Sequence, residues 1–276
     1  MQNPKVSVLL PTYNGGRFIT KSIESVLKQS FKDLELIVID DGSSDHAPDI
    51  VREFIQKDSR VLFVQNEENL GIQKTLNKGL GIARGEYIAR VDDDDEWIDV
   101  HKLESQVDFL DNDQSHVLVG TGVVFVDEKR EELFRFLQPV EDKSIRDRML
   151  FKSCFMHSAV LFRKSVAVEL GGYSEKEEHK HVEDYALWLG LGKIGKLHNM
   201  PSYGIKFMLR DGAISAVNKK EQFRKNIELV KRFKHDYPHA LKALWFVYLR
   251  FFSYSIYKLV PSKFLKHSIL KIYKKI

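Results

Sequence analysis

Residues 87–97, YIARVDDDDEW, join an apolar run to four consecutive aspartates. The apolar positions within 87–91 predict a buried strand. The carboxylates at 92–95 repel one another and resist burial, whereas a hard divalent cation such as Mg²⁺ or Mn²⁺ prefers carboxylate oxygen. A solvated acidic turn is the plain alternative. The strand before the aspartates and a helix predicted from Trp97 after them favour a fixed, half-buried metal site.

Three strand–helix units precede this stretch. Apolar runs predict strands at 5–10, 35–39 and 61–64, and apolar residues at helical spacing predict helices over 19–27, around 50–55 and over 71–83. Repeated units of this kind imply right-handed crossovers and a mostly parallel sheet covered by helices. The predicted fold class is therefore α/β.

Two polar loops follow these strands, at the sheet edge where open α/β folds bind ligands. Tyr13 is suited to stack on a base, and Asp40 or Asp41 to accept a hydrogen bond from a base or a ribose. A plain turn aromatic and helix-capping acids are the alternatives. No G-x-G-x-x-G follows the first strand and no P-loop is present, which disfavours dinucleotide dehydrogenases and P-loop enzymes.

A second pair of acids begins an apolar helix at 181–191. Leu187, Trp188 and Leu191 share a helix face with Asp184, so burial is expected to raise the pKa of its carboxyl group and suit it to act as a base. Ordinary first-turn acids that favour the helix dipole are the alternative for Glu183 and Asp184. Between the two acidic centres we predict a helix at 99–112 and strands at 116–126 and 155–164, and residues 128–152 contain no motif.

Taken together, these segments resemble glycosyltransferase family two. The similarity rests on PTYN at 11–14, SVLKQSF at 25–31, ELIVIDDGSSD at 35–45, NLG at 69–71, LNKG at 76–79, GEYIARVDDDD at 85–95 and EDYALW at 183–188. It implies the GT-A fold, a Rossmann-like mixed, mainly parallel sheet flanked by helices. It also implies transfer of a sugar from a nucleotide sugar, most often a UDP-sugar, to an acceptor hydroxyl with inversion.

The resemblance implies a role for each matched residue near the donor. Asp94 is implied to coordinate Mn²⁺ or Mg²⁺ at the diphosphate, with Asp92 near the metal and the ribose, and Asp95 to cap the next helix. The implied donor-nucleotide contacts are Pro11, Thr12, Tyr13, Asn14, Asp40, Asp41, Asn77, Arg90, Asp92 and Asp93.

On the acceptor side, the resemblance implies Asp184 as the base and Glu183 as a residue that holds the acceptor or positions the helix. His157 is implied to touch donor or acceptor, and a satisfied strand histidine is an equal alternative. Arg210 stands where relatives often have a histidine near the metal. Since arginine does not ligate metals, the implied role of Arg210 is to clamp the diphosphate.

The bulk composition divides the chain into an acidic body and a basic tail. Residues 217–276 contain fifteen Lys or Arg and three Asp or Glu, a net charge of +12, whereas residues 1–216 carry −8. We predict a catalytic domain over 1–216, with a nucleotide-binding half at about 1–97 and an acceptor half at about 98–216, and a C-terminal α-helical extension. The single cysteine, Cys154, excludes an internal disulfide framework and a cysteine-rich zinc site.

The composition of the basic tail indicates where in the cell the protein acts. Residues 241–259 are rich in aromatics but interrupted by Lys242, Arg250 and Lys258, so no uncharged run approaches the ~20 residues that span a bilayer. Basic, aromatic, amphipathic helices suit an anionic membrane surface. With no signal peptide expected, we predict a cytoplasmic protein on the inner face of the membrane and a saccharide or lipid-linked acceptor. Packing of the tail on the catalytic domain and a homodimer are the alternatives, and nucleic acid is disfavoured.

Two further function classes are weighed against this one. A nucleotidyltransferase shares the Rossmann-like sheet and acidic metal ligands, but it requires a glycine-rich phosphate loop that residues 11–17 resemble only faintly. A non-catalytic, membrane-associated protein that binds nucleotide sugars tolerates the loss of either the acidic tetrad or Asp184, and both are present.

Overall fold

The amino-terminal part of the chain contains four strands that pair in parallel. The structure, a computed structural model, describes residues 3–210 and 219–259. Its first half contains β1 (Val6–Thr12), α1 (Ile19–Leu27), β2 (Leu34–Asp40), α2 (Ala47–Lys57), β3 (Val61–Gln65), α3 (Ile72–Ile82), β4 (Tyr87–Arg90), β5 (Glu96–Trp97) and α4 (Lys102–Asn112). Its second half contains β6 (His116–Val126), β7 (Glu132–Phe136), α5 (Asp142–Met149), β8 (Leu161–Arg163), α6 (Lys164–Glu169), α7 (Glu183–Ile194), β9 (Lys196–Met208), α8 (Lys219–Arg232) and α9 (Ala240–Leu259).

The strands of the described part of the chain form one mixed sheet in the order β3-β2-β1-β4-β8-β6-β9-β5, with β7 paired to β6. The strands β1 to β4 are parallel to one another, with Val6 opposite Leu34 on one side and Tyr87 on the other, whereas β8 pairs antiparallel with β4. The loops after β1, β2 and β4 therefore leave the sheet at the same edge. This register brings the predicted nucleotide loops and the acidic loop together.

Alternation along the strands produces two apolar layers. Leu9 and Ile37 face one layer with α3, α5, α7, α8 and α9, whereas Val8 and Leu36 face the other with α1, α2 and α4. Successive side chains of a strand point to opposite faces, so a fully apolar strand requires helices on both sides. The predicted mixed α/β sheet flanked by helices is confirmed, as are the C-terminal helices.

The predicted helix from Trp97 is wrong. Glu96 and Trp97 form the edge strand β5, antiparallel to β9, with Trp97 opposite Ile205, and the helix begins only at Lys102. Trp97 is 4% exposed, its backbone N–H donates to the Ser25 hydroxyl, and its indole N–H donates to the carbonyl of Ser158. Strand pairing with a distant segment therefore outweighs the local helical pattern.

Two other local expectations change for the same reason. The strand predicted at 155–164 is reduced to Leu161–Arg163, because His157–Ala159 form a 3₁₀ turn beneath the acidic loop. Asp95 does not cap a helix: its buried carboxylate accepts from the Ser158 hydroxyl and from the Met208 backbone N–H. It fastens the acidic loop to the 3₁₀ turn before β8 and to the end of β9 instead.

The C-terminal helices pack on the body. Ile227 and Val230 of α8, and Phe233 directly after it, are buried in the same apolar cluster as Trp188 of α7. Residues 260–276 of the predicted tail lie outside the described residues. Over 3–210 and 219–259, no helix is long and apolar enough to cross a membrane.

The cysteine of the chain is a core residue. Cys154 is 0% exposed, and its Sγ lies 3.8 Å from the carbonyl oxygens of Ile145 and Lys152. Burial raises the pKa of the thiol to about 12.

Candidate active site

The acidic loop lies at the centre of the carboxyl edge of the sheet, directly after β4. Thr12, the last residue of β1, donates its hydroxyl to Asp93 Oδ2 at 2.6 Å. Gly15 approaches the same carboxylate so closely that a Cβ atom there would lie 2.0 Å from Asp93 Oδ2. The turn after β1 and the acidic loop therefore form one unit, as the sheet register predicts.

The carboxyl groups of this loop differ in their readiness to ionise. Burial, together with the neighbouring Asp94 charge, raises the pKa of Asp93 to about 7. Burial and Asp92 likewise raise the pKa of Asp94. Burial also opposes ionisation of Asp92, but the Arg90 guanidinium, with Nη2 2.6 Å from Asp92 Oδ1, lowers its pKa overall. The loop thus concentrates negative charge that the protein only partly compensates.

The donor set of this loop fits a hard divalent cation. Raised carboxyl pKa values mean that the ionised forms lack sufficient positive charge nearby, and a bound cation would supply it. Within 3–210 and 219–259, no group of three or more His, Cys, Asp or Glu side chains is arranged to hold a metal by itself. Mg²⁺ usually takes one or two carboxylates and completes its shell with water and substrate phosphates, so a protein-only cluster is not required.

Arg210, two residues after β9 ends, reaches across to the acidic loop. Its Nε lies 2.7 Å from Asp94 Oδ2, and the two side chains are 34% and 15% exposed. Arg210, predicted to clamp a diphosphate, and Asp94, predicted to bind the metal, therefore form an ion pair. Arg210 supplies part of the positive charge that Asp94 requires.

The carboxylates of Asp40 and Asp41 accept hydrogen bonds from the protein itself. Asp41 accepts three hydrogen bonds, from the Asn66 amide and from the backbone N–H groups of Leu70 and Gly71, at 2.8–2.9 Å. Asp40 accepts from the Gln65 amide at 2.9 Å and from the backbone of residue 43. Both carboxylates are buried, and Asp41 organises the loop that leads into α3. A contact with a base stays a prediction for either residue.

Of the other residues predicted to contact the donor, some lie at the exposed rim of the site and some are buried or bonded within the protein. Tyr13 is 52% exposed at the rim, and the Asn14 side chain accepts from the Ser44 backbone N–H at 2.9 Å. Pro11 is buried within β1. Asn77 binds both backbone polar groups of Tyr173, at 2.7 and 2.8 Å, so it holds the Gly-Gly-Tyr turn in place. Stacking of Tyr13 on a base stays a prediction, and its exposed ring is compatible with it.

The second acidic centre begins α7. Asp184 is half-buried, and its Oδ1 accepts from the Tyr185 backbone N–H at 2.6 Å. Burial raises the pKa of Asp184 to about 6; the nearby Asp92 charge acts in the same direction, whereas Arg90 opposes it. Burial and the Asp184 charge raise the pKa of Glu183 to about 7, and Glu183 Oε2 has no hydrogen-bond partner among the described residues. The two acidic centres therefore share one electrostatic site.

Arg90 lies between these centres. It is 1% exposed, and its Nε and Nη1 have no partner in the described part of the chain. Its Nη2 binds the Asp92 carboxylate, so Arg90 acts as an internal counter-charge, and its contact with the donor stays a prediction. His157, whose Nε2 lies 3.0 Å from the Tyr173 hydroxyl oxygen, has its pKa lowered by burial and by Arg90. His157 is therefore neutral at ordinary pH.

Ser158 belongs to the site although the sequence pattern does not indicate it. Its Oγ accepts from the Asp92 backbone N–H at 3.0 Å and donates towards the carboxylates of Asp92 and Asp95. The hydroxyl is 0% exposed and joins the acidic loop to the 3₁₀ turn before β8. A serine in an apparent apolar strand carries no such signal, because only the turn aims the hydroxyl at the loop.

Lys225 of α8 was missed as well. It is 3% exposed, and its Nζ donates to the carbonyl oxygens of Glu177 and Lys180 at 2.6 and 3.1 Å. These carbonyls belong to the segment that leads into α7. A lysine in a basic helix is typical of a solvated charge, so the sequence does not indicate that Lys225 binds these carbonyl groups.

Comparison with known proteins agrees with this architecture. Residues 7–171 match the sequence profile described as Glycosyl transferase family 2. A putative glycosyltransferase, EpsE of Bacillus subtilis, is 37% identical over 187 residues, which are 67% of this chain and 66% of EpsE, just under two thirds of its length. TuaG of the same organism, a putative teichuronic acid biosynthesis glycosyltransferase, is 29% identical over 88% of this chain and 92% of its own.

Solved structures show the same GT-A fold. S. aureus TarS 1-349 in complex with UDP-GlcNAc has a TM-score of 0.70 at 21% identity, covering 88% of this chain and 71% of that one. The mannosyltransferase PcManGT from Pyrobaculum calidifontis, in complex with GDP-Man and Mn²⁺, has a TM-score of 0.67 at 19% identity, covering 91% and 71%. The profile match, which covers more than half of the chain, and the identity to EpsE decide the assignment: the chain belongs to glycosyl transferase family 2.

Proposed function

We propose that this protein transfers a sugar from a nucleotide sugar to an acceptor hydroxyl with inversion, by direct displacement. The observation that carries the proposal is the shared electrostatic site. The acidic loop after β4 and Asp184 of α7 are joined through Asp92 and Arg90, and each of these charges influences the pKa of Asp184. A donor diphosphate and an acceptor hydroxyl can then be held on opposite sides of one anomeric carbon.

Asp184 is the proposed base. With a pKa of about 6, its carboxyl group is ionised at neutral pH yet more basic than an ordinary aspartate. As the acceptor oxygen bonds to the anomeric carbon, its proton passes to an Asp184 oxygen and the bond to the nucleoside diphosphate breaks. The positive charge of Arg90 favours the ionised forms of both Asp184 and Asp92. Glu183, whose Oε2 is unpartnered, is placed to accept a hydrogen bond from an acceptor hydroxyl.

Asp94 and Asp92 would hold the divalent cation, Mn²⁺ or Mg²⁺. When bound, it neutralises the charge that develops on the departing diphosphate, so departure needs no acid. Thr12 holds Asp93 by its hydroxyl, and Ser158 holds Asp92, so these residues orient the loop. Arg210 lies at the same edge and, once it leaves Asp94, its guanidinium is placed to contact the diphosphate.

The proposed donor is a UDP-sugar. Tyr13 is exposed at the rim of the site and offers a ring face to the base. TarS was solved with UDP-GlcNAc and PcManGT with GDP-Man and Mn²⁺, which supports a nucleotide-diphosphate sugar and leaves the base to be tested. The proposed acceptor is a saccharide or lipid-linked glycan of the cell surface. The name of TuaG, which refers to teichuronic acid biosynthesis, supports that class.

The proposed site of action is the cytoplasmic face of the cell membrane, with the basic segment 217–276 against anionic lipid. Its net charge of +12 supports this location, because each basic residue near an anionic surface contributes attraction.

Calorimetric titration of UDP, GDP, CMP and ADP, with and without Mn²⁺, tests the proposal. We expect Mn²⁺-dependent binding of UDP, and a matched Asp94→Asn variant should lose the metal dependence while folding normally. Preference for GDP would retain the transfer reaction but remove the uracil contacts from Tyr13 and Asp41. If folded protein binds none of these nucleotides, the proposed transfer is refuted.

A further inference from the structure

Helix α9 carries a line of large apolar side chains that faces away from the protein. Its opposite face holds Ala243 and Val247, which are 0% and 5% exposed within the core, so the helix is anchored without these outer residues. Positions i, i+4, i+7 and i+11 lie on one face of an α-helix. The outer stripe, as we call it, consists of Leu241, Trp245, Tyr248 and Phe252, which are 84%, 69%, 38% and 58% exposed.

Positive charge surrounds the outer stripe. Lys242 is exposed beside it, and the Nζ of Lys231 lies 6.0 Å from the centre of the Tyr248 ring. The sequence that follows, 260–276, contains five lysines and no Asp or Glu. Tryptophan and tyrosine favour the level of lipid headgroups, and lysine favours anionic headgroups. A second copy of this chain would instead bring another segment of net charge +12 against the first, which opposes pairing through this face.

Helix α9, which carries the outer stripe, packs on α8, and α8 holds the segment that leads to the proposed base. The Arg250 guanidinium of α9 lies 5.2 Å from the centre of the Phe223 ring of α8. On α8, buried Lys225 donates to the carbonyls of Glu177 and Lys180, just before α7 and Asp184 begin. A surface bound by α9 is therefore connected through α8 to the acceptor side of the site.

We propose that the outer stripe inserts into the boundary between headgroups and acyl chains of an anionic bilayer. This inference rests on the proposed function, and it deepens that function by naming the face that enters the membrane. Partly buried aromatic and leucine side chains supply hydrophobic attachment, and the surrounding lysines supply electrostatic attachment. Lys225 keeps the entry to α7 in fixed relation to the bilayer, so that a lipid-linked hydroxyl is presented near Asp184.

The tryptophans of the chain provide a direct reporter. Of the three, Trp97 and Trp188 are 4% and 0% exposed, so Trp245 is the one in contact with solvent. The full-length protein is mixed with phosphatidylcholine vesicles that contain or lack phosphatidylglycerol. With anionic vesicles we expect a blue shift of the emission and quenching by lipids brominated in their acyl chains. A Trp245→Phe variant should lose both signals while still sedimenting with the vesicles.

A neutral triple variant tests the attachment itself. Replacing Leu241, Trp245 and Phe252 by serine leaves the charge unchanged and should lower the vesicle partition constant at least about tenfold. The matched control is Leu133→Ser with Val168→Ser; these side chains are 52% and 53% exposed on β7 and α6, and this variant should bind vesicles normally. Circular dichroism checks that both variants are folded.

Three outcomes would overturn the inference. The first is a triple variant that binds vesicles as the unmodified protein does. The second is vesicle binding without quenching of Trp245, which would leave the lysines as the sole attachment. The third is a dimer in sedimentation velocity that the triple variant loses, with no vesicle binding by either protein. Nucleotide titration separates these results from the proposed function. The unmodified protein and the triple variant should bind UDP equally. If neither binds UDP, the proposed transfer reaction is refuted, whatever the vesicles show.

Discussion

The pH dependence of transfer should identify the base. An Asp184 carboxyl group with a pKa of about 6 is ionised in roughly a tenth of molecules at about pH 5 and in roughly nine tenths at about pH 7. Because the acceptor proton is transferred to the ionised form, kcat should rise about tenfold over this interval and then level off. An ordinary aspartate would already be ionised at the lower pH and would give a nearly flat profile.

The assay is release of nucleoside diphosphate from the donor that the calorimetric panel selects, with a soluble saccharide or water as acceptor. Asp184→Asn should lower kcat by about 10²–10⁴-fold and abolish the acidic limb, while leaving Mn²⁺-dependent nucleotide binding intact. Glu183→Gln is the matched control, since it removes the neighbouring carboxylate, whose pKa is about 7. It should weaken acceptor binding but keep an acidic limb.

Two results would refute this reasoning. An acidic limb near pH 7 that disappears in Glu183→Gln would make Glu183 the base. A profile that is flat from about pH 5 to 8 in the unmodified protein would mean that no carboxyl group with a raised pKa takes part in the rate-limiting step.

Three further results are expected. Ser158→Ala removes a hydroxyl that binds both Asp92 and Asp95, so urea denaturation should show a free energy of unfolding lower by about 2–3 kcal/mol. Calorimetry should show a weaker Mn²⁺-dependent affinity for nucleotide, and an unchanged affinity would remove Ser158 from the site. Gly15→Ala places a Cβ against the Asp93 carboxylate and should weaken the same affinity about tenfold, whereas Gly81→Ala, with open space around it, should not. Since the folded-state pKa of Asp93 is raised to about 7 from 3.8, apo stability should fall as pH rises through this interval, and Mn²⁺ should raise Tm more above pH 7 than at about pH 5; an equal Tm shift at both values would contradict the site.

Local sequence pattern predicts the amino-terminal half of the fold well. Strands β1, β2 and β3 are continuous apolar runs bounded by turn residues, so their predicted limits differ from the observed ones by a residue or two. Where the outcome depends on a distant partner, prediction fails. Trp97 becomes a strand residue because it pairs with Ile205, more than a hundred positions away, and no window around Trp97 contains that information.

The site shows the same division. Parallel register follows from the repeated strand–helix units, so Thr12 and the acidic loop were expected to meet, and they do. Burial of individual side chains was not predictable. Arg90, an implied donor contact, is enclosed beneath Asp92, and Asp41, an implied base contact, receives three hydrogen bonds from the protein itself. Both donor contacts stay predictions. Such outcomes depend on three-dimensional packing, which motif spacing does not specify.

The buried position of Cys154 makes the protein its own reporter of conformational opening. A thiol that is 0% exposed, with a pKa of about 12, reacts with an alkylating reagent only during moments when the surrounding layer separates. Because the chain contains one cysteine, the rate of alkylation under native conditions measures the free energy of that opening without background from other thiols. Repeating the measurement with nucleotide or vesicles present would show whether a ligand stabilises the layer formed by α5 and α7.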